Sequence, residues 1–198
     1  MKKTAKAPSN IALVKYWGKR NESLILPHNS SVSMTLDNLY TITTVEFDES
    51  YEEDEVFIDG RKATKDEFKR VVEHLELLKT QTGVDFKAKV VSEGNFPKKA
   101  GLASSASAFA ALTFAASDAL GLSLTDRELS IFARQGSGSA SRSINGGFVM
   151  WNKGRKDDGS VGVCFDKEVA KSIISEWRQH GIMPIDIGVS EEGIRREL

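Results

Sequence analysis

Three segments of the sequence carry groups that could bind phosphate. The first, residues 101–107, consists of Gly-Leu-Ala-Ser-Ser-Ala-Ser and enters a predicted helix. Small side chains let a backbone approach a polyphosphate, and the unpaired N–H groups and dipole of a helix start attract anions. Ser104 and Ser105 can donate further hydrogen bonds or help to hold an oxygen bound to magnesium. A helix lined with small residues for close packing would have the same composition, and no Walker lysine pattern is present.

The second segment, residues 136–143, consists of Gly-Ser-Gly-Ser-Ala-Ser-Arg-Ser and precedes an Asn-Gly-Gly turn. It offers hydroxyls, free amides and one cation, Arg142. The planar guanidinium of an arginine can bind a carboxylate or a phosphate through two parallel hydrogen bonds. Richness in glycine and serine is also typical of a flexible connector, so the pattern by itself leaves both interpretations open.

The third segment, residues 15–20, places three cations and two amphipathic rings directly after a predicted strand. Lys15, Lys19 and Arg20 could bind a diphosphate beside Tyr16 and Trp17, although a solvated strand end with aromatic cover would have the same composition. Three anion-binding signals in one nearly neutral chain favour a common explanation. We therefore expect the three segments to converge on a single anion-binding cleft.

Strands that could position these segments are predicted from alternating, β-branched or aromatic residues. They fall at residues 11–14, 32–36, 40–47, 86–92 and 148–151. The first strands indicate an antiparallel start to the fold, and Asn38 is expected to break the chain between the second and the third.

Helices are predicted from capping boxes and apolar spacing. Thr64 with Glu67, and Thr125 with Glu128, begin two helices that run to about residues 82 and 136. His74 lies off the apolar stripe of the first of these and is expected on the surface. A buried helix at residues 102–120 ends before Gly121, and a last helix and strand are expected at 167–180 and 182–189. This order of elements predicts an α+β fold.

Composition excludes several classes of function. The 198 residues include 27 basic and 28 acidic side chains, so a net charge of −1 provides no general attraction for nucleic acid or an acidic membrane. One cysteine, Cys164, cannot form an internal disulfide, and the three histidines show no metal-ligand spacing. No signal peptide or membrane-length apolar run occurs. We expect a cytoplasmic protein without a protein-held metal site.

Four segments taken together resemble one family. They are residues 7–20, 26–33, 95–106 and 136–151, and the likeness spans about residues 4–155. The sequence resembles the diphosphomevalonate decarboxylases of the GHMP kinase superfamily, because its Tyr-Trp-Gly-Lys and Gly-Ser-Gly-Ser-Ala-x-Arg-Ser motifs distinguish that branch from its sister kinases. The resemblance implies an α+β GHMP kinase N-terminal domain, similar to domain 2 of ribosomal protein S5, at residues 1–155. A shortened remnant of the C-terminal domain is expected at 156–198.

The resemblance also implies an activity. Such enzymes transfer the γ-phosphoryl group of ATP, with Mg²⁺, to the 3-hydroxyl of mevalonate 5-diphosphate, and then release phosphate and carbon dioxide to give isopentenyl diphosphate. The implied catalytic residues are Arg142, Ser105, Lys19 and Asp186, the last from a faint likeness to the family's Asp-x-Gly segment. The implied substrate-binding residues are Lys15, Tyr16, Trp17, Gly18, Lys19, Ser137, Gly138, Ser139, Ala140, Ser141 and Arg142. The implied ATP-binding residues are Gly101, Leu102, Ala103, Ser104, Ser105, Ala106 and Ser107.

Alternatives to this activity stay open on the sequence. The substrate could be the 5-monophosphate, or the enzyme could be a kinase that stops after 3-phosphorylation. A non-catalytic ATP-binding module is the alternative from another class. The assembly state, a homodimer included, is also open.

Overall fold

The computed structural model describes residues 1–96, 104–156, 163–165 and 193–197. The strands are β1 Lys2–Val14, β2 Lys19–Asn21, β3 Leu26–Pro27, β4 Ser31–Asp48, β5 Glu55–Ile58, β6 Arg61–Lys62, β7 Lys87–Gly94, β8 Phe148–Trp151, β9 Val163–Phe165 and β10 Arg195–Glu197. The helices are α1 Lys65–Lys79, α2 Ser104–Ala119, α3 Asp126–Gly136 and the short 3-10 helix η1 Gly138–Ser143.

Strand β4 is the central strand of the main sheet. Strand β1 pairs antiparallel with β4 along nearly its whole length. The other edge of β4 is divided between two strands: β8 pairs with residues 31–34 and β7 with residues 41–48. Strands β5 and β6 extend the sheet beyond β7, while β9 pairs with β8 and β10 pairs with β1. The site segments that adjoin β1, β4 and β8 are thereby anchored to one sheet.

The α+β class predicted from the sequence is confirmed. Every described strand pair is antiparallel except β5 and β7, which are parallel and are connected through α1. Strand β8 has the predicted bounds of 148–151. A second, two-stranded sheet joins β2 to β3.

The break predicted at Asn38 is wrong. Residues 31–48 form one 18-residue strand, and the irregularity appears instead as a shift in pairing with β1. Pro8 pairs with Tyr40, whereas Asn10 pairs with Thr35. The intervening residues form a bulge, in which Asn38 is exposed to solvent. Pairing with β1 on both sides of the bulge keeps the strand continuous.

The predicted helix start and stop signals are confirmed. Thr64 and Glu67 form a complete capping box at α1, and Thr125 and Glu128 form one at α3. Gly121 follows α2 with φ +72°, a backbone conformation that side-chain-bearing residues rarely adopt. These local interactions fix where the helices begin and end independently of the sheet.

Helix α2 packs its small side chains directly on the sheet. Ala106, Ala110, Ala111, Ala115 and Ala116 are fully buried, and α2 contacts both β1 and β4. Alanine adds no bulk beyond Cβ, so the helix axis can approach the strands closely. The surrounding core is completed by residues of β4, β5, β7 and α1, namely Val45, Phe47, Val56, Val90, Leu75 and Leu78.

A smaller apolar cluster forms near the ends of β3 and β8. Leu26 and Trp151 are fully buried in it, and Tyr16, Leu24 and Ile25 pack against them. The rings of Tyr16 and Trp151 meet edge to face, with their centroids 4.9 Å apart. This cluster fixes the position of the third candidate segment relative to β8.

The surface position predicted for His74 is wrong. His74 is 3% exposed, its Nε2 lies 2.8 Å from Thr113 Oγ1, and its ring is perpendicular to that of Phe109. It follows Val71 by three residues and precedes Leu78 by four, so it shares the face of α1 that packs on α2. Burial lowers the pKa of His74 to about 4.

Several predicted features fall outside the described residues. They are residues 97–103, the helix at 167–180, and the strand at 182–189 with Asp186. Strands β9 and β10 were not predicted, since each is only three residues long. In the described part of the chain, no helix is long and apolar enough to cross a membrane.

We predict that His74 makes the folded protein less stable in mild acid. Burial favours the neutral imidazole in the folded protein. The contribution of His74 to the free energy of unfolding is therefore fully present above the ordinary pKa of 6.5 and is lost as the pH falls towards about 4. The loss should reach about 3 kcal/mol. Urea unfolding as a function of pH should show this loss in the native sequence. His74→Gln, which keeps a hydrogen-bonding side chain without titrating, should lack it, and equal pH dependence in both proteins would contradict the assignment.

Candidate functional site

A pocket of about 340 Å³ opens between α1, the first turns of α2 and the adjoining sheet. Its wall is largely apolar, with Val56, Ile58, Val71, Val90, Phe96, Ala108, Phe109 and Leu112. Polar groups lie along the remainder of the lining, from Thr41, Thr43, Asp59, Glu67, Arg70, Ser92, Ser104 and Ser105. An apolar pocket with a few polar groups is the usual environment of a small organic ligand.

The first candidate segment is divided between this pocket and the core. Ser104 and Ser105 line the pocket, and Ser105 is exposed. Ala106 and Ser107 are fully buried, and Ser107 Oγ lies 2.7 Å from Thr41 Oγ1 beneath the helix. The side chains of the first two residues therefore face the pocket, while those of the next two secure α2 to the sheet. Gly101, Leu102 and Ala103 lie outside the described residues.

The second candidate segment is an ordered 3-10 helix and not a flexible connector. Ser141 Oγ donates to the carbonyl oxygen of Gly138 at 2.8 Å, and the amide of Ala140 donates to the carbonyl oxygen of Ser137 at 2.8 Å. Gly138, Ala140, Ser141 and Arg142 are buried. Contacts from β1 and β4 add to these local bonds, and the glycine and serine pattern gave no sign of those contacts.

Arg142 extends from η1 into the protein and is 2% exposed. Its Nη1 donates to Ser31 Oγ at 2.9 Å, and its guanidinium carbon lies 5.9 Å from the ring centroid of Trp151. Burial lowers the pKa of Arg142 to about 10, and the nearby Tyr16 opposes this effect. No ion pair joins Arg142 to a carboxylate in the described part of the chain, and its Nε has no hydrogen-bond partner there.

Asn10 is a site residue that the sequence analysis did not single out. It is 1% exposed on β1, and its Nδ2 donates to the carbonyl oxygen of Ser139 at 3.1 Å and to Ser143 Oγ at 2.8 Å. These bonds hold η1 against β1. The available signal was a strongly polar residue immediately before the apolar strand residues beginning at Ile11, which is unusual for a strand interior.

In the part of the chain that the structure describes, four buried polar atoms on η1 and the strands packed against it have no hydrogen-bond partner. They are Asn10 Oδ1, Ser33 Oγ, Trp151 Nε1 and Arg142 Nε. They belong to β1, β4, β8 and η1, which pack on one another. Buried polar atoms are ordinarily hydrogen-bonded, so these four atoms could accept or donate hydrogen bonds to polar groups from elsewhere.

The third candidate segment has one side chain that turns inward and others that lie at the surface. Tyr16 turns inward, and its hydroxyl lies beside Gly138 so closely that a Cβ there would be 2.6 Å from it. Trp17 is 76% exposed, and Lys15 is also exposed. Lys19 Nζ forms an ion pair with Glu22 at 2.8 Å. The ring of Tyr16 therefore joins η1, whereas Trp17 and the two lysines lie at the surface. Gly18 has φ +70° and forms the turn between these residues.

The structure thus brings together parts of all three candidate segments. Ser105 Oγ lies 3.3 Å from Ser137 Oγ, which links the start of α2 to η1. The contact between Gly138 and Tyr16 links η1 to the third segment. The second segment therefore contacts both the first and the third, as a common site requires.

Comparison with known proteins places the chain in a family. The family model for the diphosphomevalonate decarboxylase-like N-terminal domain matches residues 7–162. The chain belongs to this family, within the GHMP kinase superfamily. The resemblance inferred from the Tyr-Trp-Gly-Lys and Gly-Ser-Gly-Ser motifs is therefore confirmed.

Individual relatives agree with this assignment. A diphosphomevalonate decarboxylase of Candida albicans is 45% identical over 165 residues, which cover 77% of this chain and 46% of the relative. The mevalonate diphosphate decarboxylase of Enterococcus faecalis, studied for mevalonate-diphosphate-mediated ATP binding, superimposes with a TM-score of 0.79 at 49% identity, covering 84% of this chain and 51% of the other.

A further solved structure contains bound molecules. The protein called MDDEF, in complex with MVAPP, AMPPCP and magnesium, has a TM-score of 0.77 and 50% identity, over 82% of this chain and 49% of the other. The chain spans about half the length of the relatives that it matches.

We predict that Gly138→Ala will disturb η1 through Tyr16. The added Cβ would lie 2.6 Å from the Tyr16 hydroxyl oxygen and 3.2 Å from Ile25 Cγ2, inside a packed cluster. The expected loss of unfolding free energy is about 1–3 kcal/mol. Tyr16→Phe removes the closest atom, so Gly138→Ala should cost at least ~0.5 kcal/mol less in that background. Chemical denaturation of the four proteins measures this, and additive costs would show that Tyr16 does not restrain η1.

Proposed function

We propose that this chain binds ATP and mevalonate 5-diphosphate and uses them in the decarboxylase reaction of its family. The γ-phosphoryl group of ATP passes to the 3-hydroxyl of the substrate, which converts that hydroxyl into a leaving group. Loss of phosphate and carbon dioxide then gives isopentenyl diphosphate. With one cysteine in 198 residues, the chain suits a reducing cytoplasm.

The observation that carries this proposal is the environment of Arg142. A buried guanidinium without a carboxylate is costly, and an anionic ligand would offset that cost. Since Arg142 Nε has no hydrogen-bond partner among the described residues, it gives the guanidinium a donor for such a ligand beyond the bond to Ser31. The carboxylate of the substrate has the charge and the planar shape that a guanidinium binds best. Arg142 would then hold the carboxylate in line for the loss of carbon dioxide.

The pocket beside α2 suits the nucleotide. Its apolar wall, which includes Phe109 and Leu112, fits a flat nucleobase. Ser104 and Ser105 at its edge would donate to the polyphosphate, and the Ser105–Ser137 contact points the chain of phosphates towards η1. Mg²⁺, which offers charge stabilisation in phosphoryl transfer, would be held by the phosphates with Ser105. No group of three or more metal-ligating side chains occurs among the residues that the structure describes.

The remaining candidates take supporting roles. Asn10 and Tyr16 would keep η1 and Arg142 in place from either side. Lys19, which pairs with exposed Glu22, would exchange that partner for the substrate's diphosphate. Asp186 is proposed as the carboxylate beside the 3-hydroxyl, on the sequence likeness alone.

Product analysis tests the proposal. Incubation with ATP, Mg²⁺ and mevalonate 5-diphosphate should give ADP, phosphate, carbon dioxide and isopentenyl diphosphate. ADP without carbon dioxide would favour a 3-kinase, and turnover of the 5-monophosphate alone would favour the phosphomevalonate enzyme. Binding of ATP without any ADP would leave a non-catalytic module and overturn the proposal.

We predict that Arg142→Met lowers kcat/KM for mevalonate 5-diphosphate by at least about 30-fold, or about 2 kcal/mol of transition-state stabilisation. The loss of a buried cation that holds the reacting carboxylate is the reason. Arg155→Met makes the same chemical change at an exposed arginine and should leave the rate unchanged. A rate for Arg142→Met equal to that of the control would remove Arg142 from the site.

We also predict that Ala108→Leu blocks nucleotide binding. Ala108 lines the pocket on α2, and the larger side chain would fill part of its 340 Å³. The dissociation constant of a non-hydrolysable ATP analogue, measured by calorimetry, should rise at least about tenfold. Binding of mevalonate 5-diphosphate by the same variant is the internal control and should be retained. Undiminished analogue binding would place the nucleotide elsewhere.

A further inference from the structure

The turn between β2 and β3 contains a backbone conformation that its residue type disfavours. Ile25 has φ +48°, which lies in the left-handed region. Residues branched at Cβ rarely adopt this region, because the branched side chain crowds the backbone. Asp59 is the other described non-glycine residue with a positive φ, and aspartate tolerates it much better. A strained residue of this kind persists only where its surroundings enforce the conformation.

Arg134 of α3 supplies such a restraint. Its side chain is buried, and its Nε donates to the carbonyl oxygen of Leu24 at 3.0 Å. The Leu24 carbonyl and the Ile25 amide belong to one planar peptide unit. Since Leu26 on the other side is fully buried, rotation of Ile25 to negative φ would turn that unit and break the bond to Arg134. Burial lowers the pKa of Arg134 to about 10, which leaves the guanidinium protonated at neutral pH.

Ile25 lies directly against η1. A Cβ added to Gly138, the first residue of η1, would lie 3.2 Å from Ile25 Cγ2. Ile25 also packs on the apolar cluster that contains Trp151, whose ring centroid lies 5.9 Å from the guanidinium carbon of Arg142. The left-handed turn therefore forms part of the surface on which η1 rests.

Arg134 lies near the end of the helix that leads into η1. Helix α3 ends at Gly136, and η1 begins two residues later at Gly138. The side chain of Arg134 joins α3 to the turn between β2 and β3, and Ile25 joins this turn to η1. Relaxation of the turn would therefore remove a contact from the segment that carries Arg142.

We propose that Arg134 is a positioning residue that holds Ile25 in its left-handed conformation against η1. This inference rests on the proposed function, since it concerns how η1 is kept ready for mevalonate 5-diphosphate. Without the bond from Arg134, Ile25 relaxes to negative φ and its side chain leaves Gly138. The substrate must then order η1 as it binds, and its affinity falls by the cost of that ordering.

Calorimetry on the full chain tests this role. Arg134→Met removes the donors of the guanidinium and should raise the dissociation constant of mevalonate 5-diphosphate at least about tenfold. The dissociation constant of AMPPCP with Mg²⁺, measured at saturating mevalonate 5-diphosphate, should change by less than about twofold, because Arg134 does not line the pocket beside α2. Arg127→Met makes the same substitution at an exposed arginine of α3 and should leave both constants unchanged.

Two substitutions of Ile25 separate backbone conformation from side-chain packing. Asparagine adopts the left-handed region readily, so the turn in Ile25→Asn no longer needs the restraint. Arg134→Met should then weaken substrate binding by less than about threefold relative to Ile25→Asn alone. Valine is branched at Cβ like isoleucine, so Arg134→Met should keep its full effect of at least about tenfold in the Ile25→Val background.

Arg134→Lys repeats the cycle with a milder change. It keeps the charge but places a methylene group where Nε donates to Leu24, so it should behave like Arg134→Met. This variant decides the case in which Arg134→Met does not fold.

The outcomes separate this inference from the function on which it rests. An equal cost of Arg134→Met in the native, Ile25→Asn and Ile25→Val backgrounds would overturn the role of Arg134 and leave the function intact. Equal weakening of AMPPCP and of mevalonate 5-diphosphate would do the same, because it would indicate a general loss of structure. Binding of mevalonate 5-diphosphate by the native chain without turnover would overturn the function alone, since the binding cycle still decides the role of Arg134. Failure of the native chain to bind mevalonate 5-diphosphate would overturn both.

Discussion

The close approach of α2 to β1 and β4 is the constraint on which the candidate site depends. It is set by a face of fully buried alanines, and a larger side chain on that face would move the helix away from the sheet. At its present distance α2 carries Ser105 and Phe109 to the edge of the pocket and against the end of α3. The sequence left two interpretations of this helix open, close packing and phosphate binding, and its geometry is compatible with both. One face packs, and the first turn presents hydroxyls.

Features set by neighbours in sequence could be predicted, and those set by distant contacts could not. The capping boxes at Thr64 and Thr125 and the strand at 148–151 depend on local residues, and the structure has them as expected. The surface position predicted for His74 is wrong because its burial depends on a hydrogen-bond partner from another helix, Thr113 of α2. The order of η1 depends likewise on Asn10, which lies 129 residues from Ser139. The residue types of the site were visible in the sequence, but their orientation was not.

Arg142 and Arg70 differ in burial, so the energetic cost of their charges differs. Arg142 is nearly inaccessible, and its surroundings lower its pKa to about 10, so its charge is maintained at a cost in folding free energy. A cation held in this way is already desolvated when an anion arrives, which strengthens their interaction. Arg70 is exposed, and its charge carries little such cost. Its guanidinium lies over the Phe109 ring and donates to the Gly136 carbonyl oxygen. Substitution by lysine is conservative at neither position.

The pairing of β10 with β1 has a consequence for how the polypeptide emerges during synthesis. Thr4 pairs with Glu197 and Lys6 with Arg195, so one border of β1 stays unpaired until residues 195–197 have been synthesised. Throughout that interval its backbone amides and carbonyls are open to pairing with another nascent molecule. Strand β1 carries three lysines near this border, Lys2, Lys3 and Lys6. Repulsion between these lysines in different chains disfavours aggregation until β10 has been synthesised and pairs with β1.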